Sequence, residues 1–338
     1  MLLLSGALIL LADRRTIRPH WTCALLAAVA LWGAVQLLFG WTIYRYATIE
    51  WTLIWLGNLA AYELGRRFAP RDTLFVFACC VAIAGTVQAA TAPGAVFWIF
   101  ESGFEDMVTG PFVYHNQFAA FVEIVFPVAL AGCLLESSQR LIHALVAAFL
   151  FAAVIASGSR TGALAVTAEL LAMVALAARV RGRAIWGPAA AVAVAIVVTV
   201  AAVGPDRLLL RFESGLSGGR LDYWQASLPM LRDHWFAGVG LGNWPLAYPR
   251  YAFVDDGLVA NQAHSEWVEW ACEGGLPFVL LLAAIAFRTS RDALASRWGL
   301  GVAAFWLHCA VDYPTRRPAI AVFFFAFAGA VSAWRRRE

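Results

Sequence analysis

Lysine is missing from this 338-residue chain: all 25 basic side chains are arginine. Such a complete bias reads as codon usage in a GC-rich genome, so only arginines in unusual places need a chemical explanation. Charge of either sign is scarce. Charged residues make up 14% of the chain, where soluble domains carry about 25%, which excludes an ordinary soluble protein. A dispersed net charge of +3 excludes a nucleic-acid-binding face. Cysteine is sparse and unpatterned. Cys23, Cys79, Cys80, Cys133, Cys272 and Cys309 lie in or beside apolar runs with no CxxC or metal-ligand spacing. They read as small buried hydrophobes, and no metal or other cofactor is expected. No stretch reads as a cleaved leader, because apolar segments follow one another along the chain. No internal repeat stands out, which argues against a transporter built from inverted halves.

What is abundant is hydrocarbon. The chain is 62% hydrophobic with a mean hydropathy of +0.71, the composition of an all-α polytopic membrane protein. Eleven spans are expected, near 1–12, 20–40, 47–64, 73–92, 112–135, 141–156, 161–178, 184–203, 268–287, 298–311 and 318–334. The first, at about twelve residues, is short of the roughly 20 that a crossing needs. The expectation is one integral membrane domain over 1–338, with a large outward loop over 204–264.

Arginines orient these spans. Arg14, Arg15, Arg18, Arg66, Arg67, Arg71, Arg140, Arg179, Arg181, Arg183, Arg288, Arg291, Arg297 and Arg335 to Arg337 all fall on alternate linkers or the tail. The positive-inside rule puts those linkers in the cytoplasm. The intervening linkers then face outward: the acidic one with Glu101, Glu105 and Asp106, the turn at Arg160, the long loop, and Asp312 to Arg317. Trp21, Trp41, Trp51, Trp98, Trp186, Trp267 and Trp298 lie near span ends, as an interfacial belt would.

The outward side holds the candidate chemistry. A guanidinium presents a planar fork of donors that matches phosphate oxygens. Arg160 lies in the turn Ser157-Gly158-Ser159-Arg160-Thr161-Gly162, where backbone donors can also approach an anion. Arg220 lies in the loop. Both break the local charge rule, which favours function over a snorkelling or capping role. His264 closes the loop, and its unperturbed pKa near 6.5 suits a general base that takes a proton from a hydroxyl. Glu266 and Glu269 follow it, either orienting the imidazole or simply solvated. Asp312, Arg316 and Arg317 share this side, and Asn116 at the outer end of its span is suited to a polar head group. Glu123 and Glu169 fall inside apolar spans, where they must be paired or face a cavity. Gly238-Val239-Gly240-Leu241-Gly242 lacks the strand and βαβ unit of a nucleotide fingerprint and reads as a tight turn.

Taken in order, Ser159-Arg160-Thr161-Gly162, Arg220…Tyr223-Trp224, Gly238-Val239-Gly240-Leu241-Gly242-Asn243, His264-Ser265-Glu266-Trp267 and Val311-Asp312-Tyr313-Pro314 resemble the O-antigen ligase and polymerase superfamily. The resemblance is strongest from Asn116 to Pro318. It implies a GT-C-like fold of about eleven helices, or twelve in the full pattern, in the bacterial inner membrane. It also implies a donor glycan on undecaprenyl pyrophosphate and a glycolipid or lipid-linked glycan acceptor, joined by metal-independent inverting transfer at the periplasmic face. Arg160 and Arg220 match the family's pyrophosphate-binding arginines, and His264 its proposed base. Asn116, Tyr223, Asp312 and Arg316 complete the expected substrate contacts. The alternatives are a polymerase that extends a lipid-linked glycan and, from another class, a polysaccharide flippase, which has no need of a long loop ending in a base.

Overall fold

The computed structural model describes residues 20–334 apart from 69–70, 93, 102–110, 137, 214–219, 254–256 and 258. The expected span at 1–12, Glu105, Asp106 and the arginines at 14–18 and 335–337 lie outside the described residues. The described chain is overwhelmingly helical, as a backbone in lipid must be to satisfy its own hydrogen bonds. Among the described residues six helical segments are long and apolar enough to cross a membrane, and Pro318–Trp334 is a shorter apolar helix. The chain is a multi-pass membrane protein.

It divides into two compact units. The first comprises residues up to 69, 217–292 and 309 onward. Here α1 (Trp21–Phe39) packs on α2 (Arg45–Phe68). Every other described helix is numbered in chain order: α3 (Arg71–Thr91), α4 (His115–Leu134), α5 (Arg140–Ser157), α6 (Arg160–Arg181), α7 (Trp186–Val203), α8 (Asp206–Glu213), α9 (Arg220–Asp233), α10 (Trp244–Ala247), α11 (Glu266–Leu294), α12 (Leu300–His308) and α13 (Pro318–Trp334). α13 lies along α2, where Gly65 leaves no room for a Cβ against the Ala326 carbonyl. Close approach through a small residue is a usual way for membrane helices to associate.

The first unit turns on a break in α11. Gly275 has φ +65° and ψ −169°, a backbone that an L side chain rarely adopts, and Pro277 follows it. The break frees carbonyls that a continuous helix would use itself. Those of Cys272 and Glu273 accept from Val239 and Gly240 N–H at 2.9 and 3.0 Å, and that of Gly274 from the Trp32 indole at 2.8 Å. Gln36 of α1 joins both sides. Its amide donates to the carbonyls of Ala237 and Glu273 at 2.6 and 2.8 Å, and its oxygen accepts from Leu241 N–H at 3.1 Å. The glycine-rich turn is thus the piece that fills the broken helix, and a Cβ on Gly238 would collide with the Glu273 carbonyl. A tight turn was the right reading, and the break gives its reason.

The second unit comprises 70–216 and 293–308. α4 is buried along its whole length, with α5, α6 and α12 packed on it. Glu123 of α4 meets His308 Nδ1 of α12 at 2.9 Å, with both side chains fully buried. One of the two intramembrane acids is therefore an interhelical bond. The other, Glu169, is 2% exposed and lines a cavity of about 310 Å³ with Thr161 and His308. The span expected at 298–311 is a nine-residue helix that stops at His308, because the chain then turns. In the first unit the carbonyls of Cys309 and Asp312 accept from Glu266 N–H at the start of α11. Of the tryptophans expected in an aromatic belt, Trp21 and Trp186 are exposed, whereas Trp298 is 5% exposed and belongs to the core.

Candidate active site

The described part of the long segment over 204–264 is structured rather than a bare loop, because α9 and α10 pack on the start of α11. Trp244 is fully buried against Ala226, Met230 and Cys272, and its indole donates to Ser227 Oγ at 3.0 Å. This apolar cluster fixes α9, and α9 carries Arg220 as its first residue and Tyr223 one turn on.

Four of the expected residues converge in this unit. Arg220 Nη2 lies 3.5 Å from Asp312 Oδ2; the arginine side chain is 20% exposed and the carboxylate 2%. Tyr223 stacks on His264, with ring centroids 6.0 Å apart and planes 11° apart. Tyr313 meets His264 edge-on, with ring centroids 5.0 Å apart. The imidazole contacts two phenol rings and lies close to Arg220 and Asp312. Its backbone has φ +54°, the left-handed region, where a residue persists only when its neighbours hold it there.

Electrostatics favour the neutral imidazole. Burial lowers the His264 pKa from its ordinary value near 6.5, the Asp312 charge opposes that, and the Arg220 charge adds to it. At neutral pH the ring is unprotonated and able to accept a proton.

Arg316 is in the same unit but faces inward. Its guanidinium makes an ion pair with Glu269 at 2.8 Å and a hydrogen bond with Glu273 at 2.8 Å, and its Cζ sits 4.5 Å from the centre of the Trp51 ring. The side chain is 4% exposed. The carboxylates Glu269, Glu273 and Glu266 raise its already high pKa against the effect of burial. The expectation of a substrate contact does not match this position, because every face of the fork is turned into protein. Glu266 and Glu269 are likewise not solvated: both are fully buried. Their spacing with Glu273, three and four residues apart on an apolar helix, was the signal that one face of α11 is an internal acidic stripe. Tyr313 was visible only as part of the Asp312-Tyr313-Pro314 motif.

Arg160 and Asn116 belong to the second unit. Gly158 ends α5 with φ +74°, and Ser159 caps α6 by accepting from Gly162 N–H at 3.1 Å. Arg160 is therefore the first residue of α6 and half-buried. Asn116 is buried at the start of α4 and donates to the Tyr114 hydroxyl at 3.0 Å.

No curated protein matches the chain. Residues 145–283, from early α5 past the break in α11, match the family model described as O-antigen ligase. That segment, which is similar to this family, holds Arg160, Arg220, Tyr223 and His264.

Proposed function

We propose that this protein is a glycosyltransferase that moves a glycan from undecaprenyl pyrophosphate to a sugar hydroxyl at the periplasmic face of the inner membrane. The observation that carries the reading is the half-buried His264 in contact with the Tyr223 and Tyr313 rings, with Arg220 and Asp312 close by. His264 takes the proton of the acceptor hydroxyl. The acceptor oxygen bonds to the anomeric carbon as the bond from that carbon to the pyrophosphate oxygen breaks, with inversion. The electron pair leaves on pyrophosphate, and guanidinium donors stabilise the charge as it grows. Such preorganised electrostatic stabilisation often contributes more to catalysis than any other effect.

Arg220 suits that role because it is partly exposed and paired only at 3.5 Å, so a phosphate oxygen can compete for its fork. Asp312 holds the fork in place until the donor arrives. Arg160 is the proposed second clamp and Asn116 a head-group contact. Arg316 stands behind the site rather than at the substrate. The isoprenoid tail lies in the surrounding lipid, and neither metal nor cofactor takes part.

The test uses purified protein in liposomes with an undecaprenyl-pyrophosphate glycan. Lipid A–core is offered in one arm and a second lipid-linked glycan in the other. Product in the first arm marks a ligase; product in the second marks a polymerase. Movement of the intact lipid-linked glycan across the bilayer with no new glycosidic bond would replace this reading with a flippase.

A further inference from the structure

His264 keeps a left-handed backbone, and the residue before it is pinned from both sides. Ala263 is fully buried. Its N–H donates to Glu269 Oε1 at 2.5 Å, and its carbonyl accepts from the Trp224 indole at 2.8 Å. The second oxygen of Glu269 is paired at 2.8 Å with Arg316 Nε. Arg316 belongs to the turn that carries Asp312 and Tyr313. That turn is held again by Glu266, whose Oε1 accepts from Thr315 Oγ1 at 2.5 Å and Arg316 N–H at 3.0 Å. One carboxylate therefore grips the segment entering His264 with one oxygen and the turn bearing Asp312 and Tyr313 with the other.

We propose that Glu269 is a positioning residue, tying the base His264 to the turn that carries Asp312 and Tyr313 so that the two halves of the site keep one geometry. The inference rests on the glycosyl-transfer reading for what His264 does, but not for how it is held. Glu269 touches no reacting atom and acts through Ala263 and Arg316. A structural role alone would spread its effect over the fold. Positioning concentrates it at the imidazole, because a site loosened by about an ångström loses as much as 10²-fold in rate.

The test is the reactivity of His264 towards diethyl pyrocarbonate, followed against pH by peptide mass spectrometry on the full-length protein in liposomes. Two variants are compared with the wild type. Glu269→Gln keeps the side-chain volume and removes the charge that holds Arg316. Trp224→Phe releases the Ala263 carbonyl and alters no charge. The charged and titratable groups that face His264 (Arg220 and Tyr223 from α9, Asp312 and Tyr313 from the turn) are unchanged in both.

A loosened site admits water, so the midpoint of His264 modification rises towards the ordinary imidazole value in both variants. Simple loss of the Glu269 negative charge would move it down instead. In the transfer assay, kcat of Glu269→Gln falls by about 10- to 100-fold while KM for the donor stays put. A midpoint that stays or falls overturns the proposal, and so does wild-type turnover in Glu269→Gln. If the midpoint rises but the wild-type protein itself transfers no glycan, the functional reading fails and the positioning role stands.

Discussion

Arg220 opens α9 with a fifth of its side chain exposed and Asp312 at 3.5 Å, whereas Arg316, four residues past that aspartate, is 4% exposed with carboxylates at 2.8 Å. Both were expected on the outward side as substrate contacts, and nothing in residue type tells them apart. Burial does. A guanidinium desolvated between carboxylates cannot give its fork to a ligand without leaving those carboxylates uncompensated. One held loosely at the edge of the protein can. The comparison teaches that an arginine's chemistry follows from how many of its donors are already engaged.

The sharpest way to test this division is to remove the imidazole beside Arg220. His264→Ala is expected to lower turnover by about 10²- to 10⁴-fold with donor affinity nearly intact. Wild-type turnover in reconstituted membranes would reject the base. Next in size is Arg220→Lys, which keeps the charge and loses the fork. Transfer should fall by about 10²-fold, the usual effect of losing one donor that stabilises developing charge. Donor affinity should weaken with it, and unchanged kinetics would remove Arg220 from the clamp.

Arg316→Leu should behave in the opposite way. It leaves buried carboxylates without their cation, at a cost of about 3–5 kcal/mol of stability. Thermal unfolding should show the loss, while the protein that remains folded keeps wild-type donor affinity. Weakened donor affinity at full stability would return Arg316 to the substrate.

The smallest effect is on pH dependence, and its sign is fixed by burial. The folded pKa of His264 lies below 6.5, so the acid limb of the rate profile should fall below the ordinary imidazole value. The stability that the neutral ring contributes is full above about 6.5 and lost as pH drops from there through the folded value. Asp312→Asn removes the charge that opposes this shift and should move the limb lower still. A limb at or above 6.5 would mean that the imidazole is solvated.

How far the sequence could be read follows the same line. The helices were legible because a bilayer demands long apolar runs, and arginine counts ordered them. His264, Arg220, Tyr223 and Asp312 were legible as polar motifs on one side. What could not be read depends on contacts between distant parts of the chain. Arg316 looked exposed because the acidic stripe that buries it lies on α11, some 45 residues earlier. The last-but-one span looked longer because hydropathy runs past His308, where the chain turns to meet the Glu266 backbone. Trp298 looked interfacial because position relative to a span end says nothing about the neighbour that covers it.

Gln36 carries a consequence for how the protein is made. Its amide partners are Ala237, Leu241 and Glu273, some 200 residues further along. A ribosome adding about 5–20 residues per second needs on the order of ten seconds or more to supply them. Throughout that interval α1 sits with a side-chain amide whose final partners do not yet exist, an expensive state in hydrocarbon. The amide must lean on water at the headgroups, on the insertion machinery or on a passing helix. α1 therefore waits loosely, and the first unit closes only when the broken helix of its last third arrives.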